Sequence, residues 1–298
     1  MLLEELIYTR LATRAALTSR LAQFGTAPAI FLQSPPGDQA DNWAGRTQYP
    51  RIDYSVEMQA DPERHTSGQL VLNVWCGEGM TPPEEIEPEI RQALNDVFLT
   101  PAAGTPFSLT WQRSDTFEAR AVAVKGAGVR GVTIIFDVWA FTAQNTHGPD
   151  PIQTINAWTK AQTPGAMVIG IDALPAQFMP TATQPVIYYR LLGVSVDRHA
   201  GAVTWLHADI AGHIIIPATE QRLQVLRQIA DGLAVQKCIK MQDNSPMSIL
   251  SLKADSSNNH LTTGQLRIRV KFGVLQPAAQ FDTLRRAVAS GAISQEVR

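Results

Sequence analysis

Apolar residues recur along this chain in two rhythms, one helical and one of half-buried strands. Leu3, Ile7, Leu11, Leu17 and Leu21 fall near helical spacing and Gly25 follows as a stop, so residues 2–24 predict a helix. Residues 28–33 read as a short strand. In RIDYSVEMQ the apolar positions alternate, with Ile52, Tyr54 and Val56 on one face. In QLVLNVWC they alternate again through Leu70, Leu72 and Val74. The polar turn between these runs predicts an antiparallel hairpin with a long tip at Asp61–Gly68. A second helix is predicted over TPPEEIEPEIRQALNDVFL. Thr81 caps it, Pro82 and Pro83 suit its first turn, and Ile86, Ile90, Ala93, Leu94 and Val97 form its stripe. Glu84, Glu85, Glu87 and Glu89 read as its solvated first turn and outer face rather than as a cation site. Val132, Ile134, Phe136 and Val138 then share a face of a closing strand.

The same order runs again. QPVIYY, RHAGAVTWLHADI, PATEQRLQVLRQIADGL and TGQLRIRVKFGV repeat strand, strand, helix and closing strand. Leu223, Leu226, Ile229 and Leu233 make the second helix stripe, and Leu266, Ile268, Val270 and Phe272 face inward. By letter, Pro50 and Tyr54 map to Pro185 and Tyr189, Gly68 to Gly201, Arg91-Gln92 to Arg227-Gln228, and Gly131 to Gly264. An internal repeat changes the fold expected of 298 residues. It predicts two tandem copies of an α+β domain of roughly 130 residues, each an antiparallel sheet with helices on one face. The expected division is 1–144, then 150–275, joined through 145–151, with a helix and tail over 276–298.

Composition narrows function mainly by exclusion. The formal net charge of −2 offers no footprint for nucleic acid or an anionic membrane. The halves differ: residues 1–149 carry 11 Lys+Arg against 17 Asp+Glu, and residues 150–298 carry 14 against 10. Such halves attract one another or meet head to tail between subunits, unless the difference is drift between copies. The two cysteines, Cys76 and Cys238, fit neither a disulfide scaffold nor a zinc pattern. The acidic Glu4 and Glu5 argue against a signal peptide, and no apolar run is long enough to span a membrane.

No recognisable catalytic set emerges, so the expectation is a protein that is not an enzyme and needs no metal or cofactor. Gly126, Gly128 and Gly131 spell GAGVRG, but a strand rather than a helix comes next, which predicts a hairpin turn. His207 and Asp209 would share a strand face, with His213 beyond a glycine in a turn. They lack a third ligand at metal spacing. Arg267, Arg269 and Lys271 alternate along the last strand as a basic strip, either a solvated face or one turned to a partner or a DNA-filled channel. Trp43 is odd in the turn-rich stretch SPPGDQADNWAGRTQYP, and docks on its own subunit or on a neighbour.

Three motifs carry a family resemblance. The opening LIYTRLATRAALTSRLAQFG runs into a short strand. YPRIDYSV is followed by GQLVLNVWC, and a helix leads to RGVTIIFDVWAF with its Val-Trp end. In this order the chain resembles the phage tail terminator, or tail-completion, family, over most of residues 1–142 and more weakly over 150–275. The resemblance implies a structural virion protein. It would form a ring at the head-proximal end of the tail tube, end tube growth and join tail to head. Implied partners are further copies (six, or three as a pseudo-hexamer), the tail tube protein, a head-completion or neck protein, and a sheath. DNA would pass through the lumen without specific binding. The resemblance also implies assembly in the host cytoplasm and residence in the tail or neck. The candidate subunit or tube contacts are Trp43, Arg64, His65, Arg267, Arg269 and Lys271, with Trp75 and Trp139 as anchors near strand ends. A different neck or tube component is the alternative, and an enzyme with an unrecognised site a distant third.

Overall fold

Two sheets, each with helices on one face only, account for the two rhythms. The computed structural model describes residues 1–37, 40–43, 47–59, 67–120, 128–144 and 148–275, with no side-chain description at 119 and 120. The first unit runs α1 (Leu3–Ala12), α2 (Ala15–Thr18), β1 (Gln23–Phe24), β2 (Ala27–Pro28), β3 (Ile30–Leu32), β4 (Arg51–Met58), β5 (Gly68–Gly77), α3 (Pro83–Leu94), β6 (Phe98–Leu99), β7 (Phe107–Arg120) and β8 (Gly128–Ala140). The second runs α4 (Pro151–Gln162), β9 (Met167–Val168), β10 (Gln177–Phe178), β11 (Val186–Ala200), β12 (Val203–Ile215), α5 (Thr219–Gln236), β13 (Cys238–Lys240), β14 (Pro246–Ala254) and β15 (Leu266–Leu275). The class is α+β.

The first sheet has the order β10-β6-β7-β8-β5-β4-β3 and the second β13-β14-β15-β12-β11-β9. Setting β10 aside, the orders match strand for strand. Each begins with one parallel pair, β3 with β4 and β9 with β11, and continues antiparallel. Each unit also places helix before its first strand, α1 and α2 in the first and α4 in the second, and another helix after its hairpin.

Alternation sets which face is buried. Leu70, Leu72, Val74, Val132, Ile134, Phe136 and Val138 pack under α1 and α3 in one core. Ile210, Ile214, Leu266, Ile268, Val270 and Phe272 pack under α4 and α5 in another. Fully burying each such side chain contributes about 1.5–3 kcal/mol. In α5, Leu226, Ile229 and Leu233 are buried but Leu223 is 40% exposed, so that stripe is shorter than its periodicity predicts. The helix predicted over 2–24 is interrupted at Thr13–Arg14 and ends at Thr18, and Gln23–Phe24 pairs as strand β1 with β2. Pro82, not Thr81, stands at the N-cap of α3 and no side chain caps it. In α4 the Asp150 carboxylate does cap, accepting from Ile152 N at 2.8 Å and Gln153 N at 3.3 Å.

Sheet register revises two of the letter anchors. Tyr54 lies opposite Leu72 and Leu72 opposite Ile134; Tyr189 lies opposite Gly212 and Gly212 opposite Leu266. Leu266 therefore corresponds to Ile134, and Gly264 to Val132 rather than Gly131. Gly68 lies opposite Val138, whose counterpart Val270 lies opposite Ala208, so Gly201 is not the equivalent of Gly68. Gly201 sits instead at the tip of a longer hairpin with φ +59°, a conformation that favours glycine.

The units are not separate beads. β10 crosses over to add an edge strand to the first sheet, pairing Phe178 with Phe98, and Thr100 N donates to Ala176 O at 2.9 Å. Phe98, Phe141, Leu174, Val186, Tyr188, Ile215 and Leu261 form a shared core, with Phe141 stacked 5.2 Å from Phe98 and 5.3 Å from Tyr188. Tyr188 OH donates to Thr142 O at 2.9 Å. The helix expected within 276–298 lies outside the described residues.

Candidate interaction surfaces

Each sheet turns its second face away from its helices, and that face collects the polar side chains of the alternating strands. On β15 the buried Leu266, Ile268, Val270 and Phe272 force Arg267, Arg269 and Lys271 to the opposite side. The basic strip is therefore formed, and each cation has a particular setting. Lys271 Nζ donates to Asp197 Oδ2 at 2.7 Å and lies 5.4 Å from the Trp205 ring centre. That hydrogen bond from Lys271 holds the Asp197 carboxyl below its ordinary range. Arg269 Nε is 3.9 Å from Asp209 Oδ1, with both side chains about half exposed. Arg267 is partly buried, and desolvation followed by the nearby Arg190 charge lowers its pKa.

His207 and Asp209 do share that face, and His207 Nε2 is 3.9 Å from Asp197 Oδ1. His213 does not lie in a turn. β12 runs on through Gly212 to Ile215, and His213 is 1% exposed within it. Its Nε2 accepts from Arg190 Nε at 3.2 Å, and its Nδ1 is 2.9 Å from His260 O. Desolvation pushes its pKa down to about 4. At neutral pH the ring is therefore neutral, with the proton on Nδ1 donating to that carbonyl. His213 is a structural histidine. Among the described residues no group of three or more His, Cys, Asp or Glu gathers as a metal site.

The other sequence candidates divide. Trp43 is 2% exposed in a short 3-10 turn, against Phe24 at 4.9 Å and Phe31 at 5.8 Å. Its ring is consumed inside its own chain, which removes it from the subunit contacts. Arg64 and His65, with the rest of residues 60–66 of the hairpin tip, lie outside the described residues. Trp75 is an internal anchor: its Nε1 donates to Asp53 and its ring stacks on Phe117 at 4.8 Å. Trp139 packs at the edge of the shared core. Gly128 opens β8 and Gly131 lies inside that strand, so the glycines lead into a strand and not a helix; Gly126 is outside the described residues. The α3 acids are not merely solvated: Arg14 reaches Glu89 at 2.6 Å, Arg20 reaches Glu85 at 3.6 Å, and Arg91 reaches Glu87 at 3.5 Å.

Sequence reading missed the junction between the units. A groove of about 700 Å³ there is lined by Arg91, Asn95, Asp96 and Trp111 from one side and Arg222 and His260 from the other. Arg91 stacks its guanidinium 3.7 Å from the Trp111 ring centre, and His260 Nε2 stands 3.6 Å from Asp96 Oδ1. These residues are far apart in sequence and carry no motif, so only the docking of the two sheets reveals them. Cys76 is buried, and desolvation pushes its thiol up to about 12, which leaves it unreactive. No described helix is long and apolar enough to cross a membrane.

Among the described residues the surfaces on offer are two sheet faces free of helices outside the shared core, uncovered strand edges and a charged junction groove. No protein-family model matches this chain, and no curated protein matches it at a significant level.

Proposed function

We propose that this chain is a structural protein of a phage or phage-like particle that forms a ring on the head-proximal end of a tail tube, ends tube polymerisation and joins the tail to the head or neck. The observation carrying this reading is that two helix-backed sheets share one strand order while each leaves its second face free of helices outside the end buried in the shared core. Together with the terminator-like motifs of residues 1–142, that supports a duplicated tail-terminator domain acting through surfaces. Under this reading the protein catalyses nothing, needs no cofactor, assembles in the host cytoplasm and resides in the virion.

The units are not interchangeable, which favours six chains over three in a pseudo-hexamer. β10 covers the β6 edge of the first sheet, whereas in the second sheet β13 is the terminal strand. A ring position built on that edge would differ between the two units. A heterologous contact repeated by a fixed rotation then closes the ring.

A tube or other neck component is the second reading. Beyond Ile187, β11 has strand pairing on one side only among the described residues, and it exposes Leu192, Val194 and Val196. A long uncovered edge of this kind suits open polymerisation. Native mass spectrometry with negative-stain imaging, with and without a tail tube, separates the two. Closed rings, or caps confined to one tube end, are expected. Open tubes of this protein alone would replace the ring reading with the tube reading.

A further inference from the structure

We propose that the open face of the second sheet docks on the open face of the first sheet in a neighbouring copy of this chain. This deepens the ring reading and rests on it only in requiring a homo-oligomer.

The two faces are built alike and charged oppositely. Register places Arg198, Lys253, Arg267, Arg269 and Lys271 on the open part of the second sheet, with Arg190 beside them but held by His213 and Thr262 O. Among the described residues Asp197, Asp209 and Asp255 oppose them there. The corresponding side of the first sheet carries Glu57, Asp137 and Asp115, the last paired with Arg113 at 3.2 Å, together with Arg51 and a buried Asp53 that accepts from Asn73 and Trp75. Between its acids lie Val71 and Ile135, opposite one another and only partly exposed, an apolar centre with a polar surround.

Charged groups on both faces are incompletely partnered within the chain. Asp137 Oδ1 and Arg267 Nη1 are shielded from solvent with no hydrogen-bond partner. Burial raises the Asp137 pKa and lowers that of Arg267, so each would gain from an opposite charge brought against it. Arg269 and Lys271 find acids only within their own sheet, at Asp209 and Asp197. The two sheets of one chain are fixed by the β6–β10 pairing and the Phe141 core, so the complementary face must come from another copy.

A protein face fits better than a nucleic acid. Asp197 and Asp209 sit among the cations and would repel a phosphate backbone, whereas the first sheet offers Arg51 and Arg113 to meet them. Because the contact joins two different surfaces, it repeats head to tail and closes or propagates by its rotation.

The full-length chain tests this by native mass spectrometry across a salt series. Arg198→Glu with Arg269→Glu reverses one face, and Glu57→Lys with Asp115→Lys reverses the other. These positions are exposed, and thermal melting checks that each variant folds. Either pair is expected to weaken self-association by about tenfold or more, and combining them should restore it toward wild type. Wild-type assembly should weaken between low and high salt. Unchanged oligomers in both pairs would overturn this contact while leaving the ring reading intact. A wild type that stays monomeric at low salt but caps tail tubes would do the same. Loss of duplex DNA binding in the arginine pair, with assembly unaltered, would replace the partner by a polyanion.

Discussion

Tyr54 and Tyr189 occupy the same place in the two sheets, and each sends its hydroxyl to the opening helix of its own unit. Tyr54 OH donates to Glu4 O at 2.9 Å, while Tyr189 OH pairs with Thr159 Oγ1 at 2.9 Å. Both lie two residues beyond a fully buried isoleucine, Ile52 or Ile187, that pairs with the parallel edge strand. Burial raises both phenols, Tyr54 to about 12, so each stays protonated across the physiological range.

Removing these hydroxyls should cost differently. Tyr54→Phe leaves a backbone carbonyl near the surface and should cost about 1 kcal/mol. Tyr189→Phe strands the Thr159 hydroxyl in a fully buried site and should cost about 1–3 kcal/mol. Adding Thr159→Val removes the stranded group and should recover much of that loss. Urea unfolding of the three variants measures it; a double variant no better than Tyr189→Phe would show that the hydroxyl pair is not the cause.

His213 should make stability fall with acid. Its folded pKa, near 4, lies below the ordinary histidine value of 6.5. The unfolded chain therefore binds the proton first. The stabilisation is complete above about pH 6.5 and is lost as pH falls toward 4, on the order of 3 kcal/mol in all. The charges nearest the ring, Arg190, Arg267 and His260, disfavour its protonation further. His213→Gln should flatten the unfolding free energy between pH 6.5 and 4 relative to wild type; parallel pH profiles would exclude this histidine as the source.

Gly131→Ala should destabilise the first unit by about 2–3 kcal/mol. An added Cβ would collide with the Phe117 ring and come within 2.6 Å of Val74 O. Phe117→Ala in the same chain should relieve only part of the loss, since the carbonyl belongs to the neighbouring strand and cannot swing away. Full rescue in thermal melts would mean that the ring alone sets the limit.

Phe141→Ala should uncouple the units. The ring is 2% exposed in the shared core between Phe98 and Tyr188, so truncation should cost about 3–5 kcal/mol. Calorimetry of the wild type should show one transition and of the variant two. One transition in both would place the coupling in the β6–β10 pairing instead.

The sequence by itself determined the faces of the elements. Alternation through Leu70, Leu72 and Val74, or Leu266, Ile268 and Val270, can be buried only one way in a strand, so the inward residues and the outward Arg267, Arg269 and Lys271 were legible. The order of elements and the α+β class came with them. What the sequence could not carry was distance across the chain. Whether Gly201 matched Gly68 depended on strand register, which is set by pairing rather than by letters. His213 read as a turn because a glycine precedes it, yet the ladder through Gly212 kept it in the strand and buried it. Trp43 found its place only when Phe24 and Phe31 closed on it. The strand β10, two residues long, has no periodicity to detect, and its crossing to Phe98 is a tertiary event. Local periodicity decides which side of an element is apolar. Which apolar or charged sides meet is decided by packing, because that contact energy exists only after the chain has brought remote segments together.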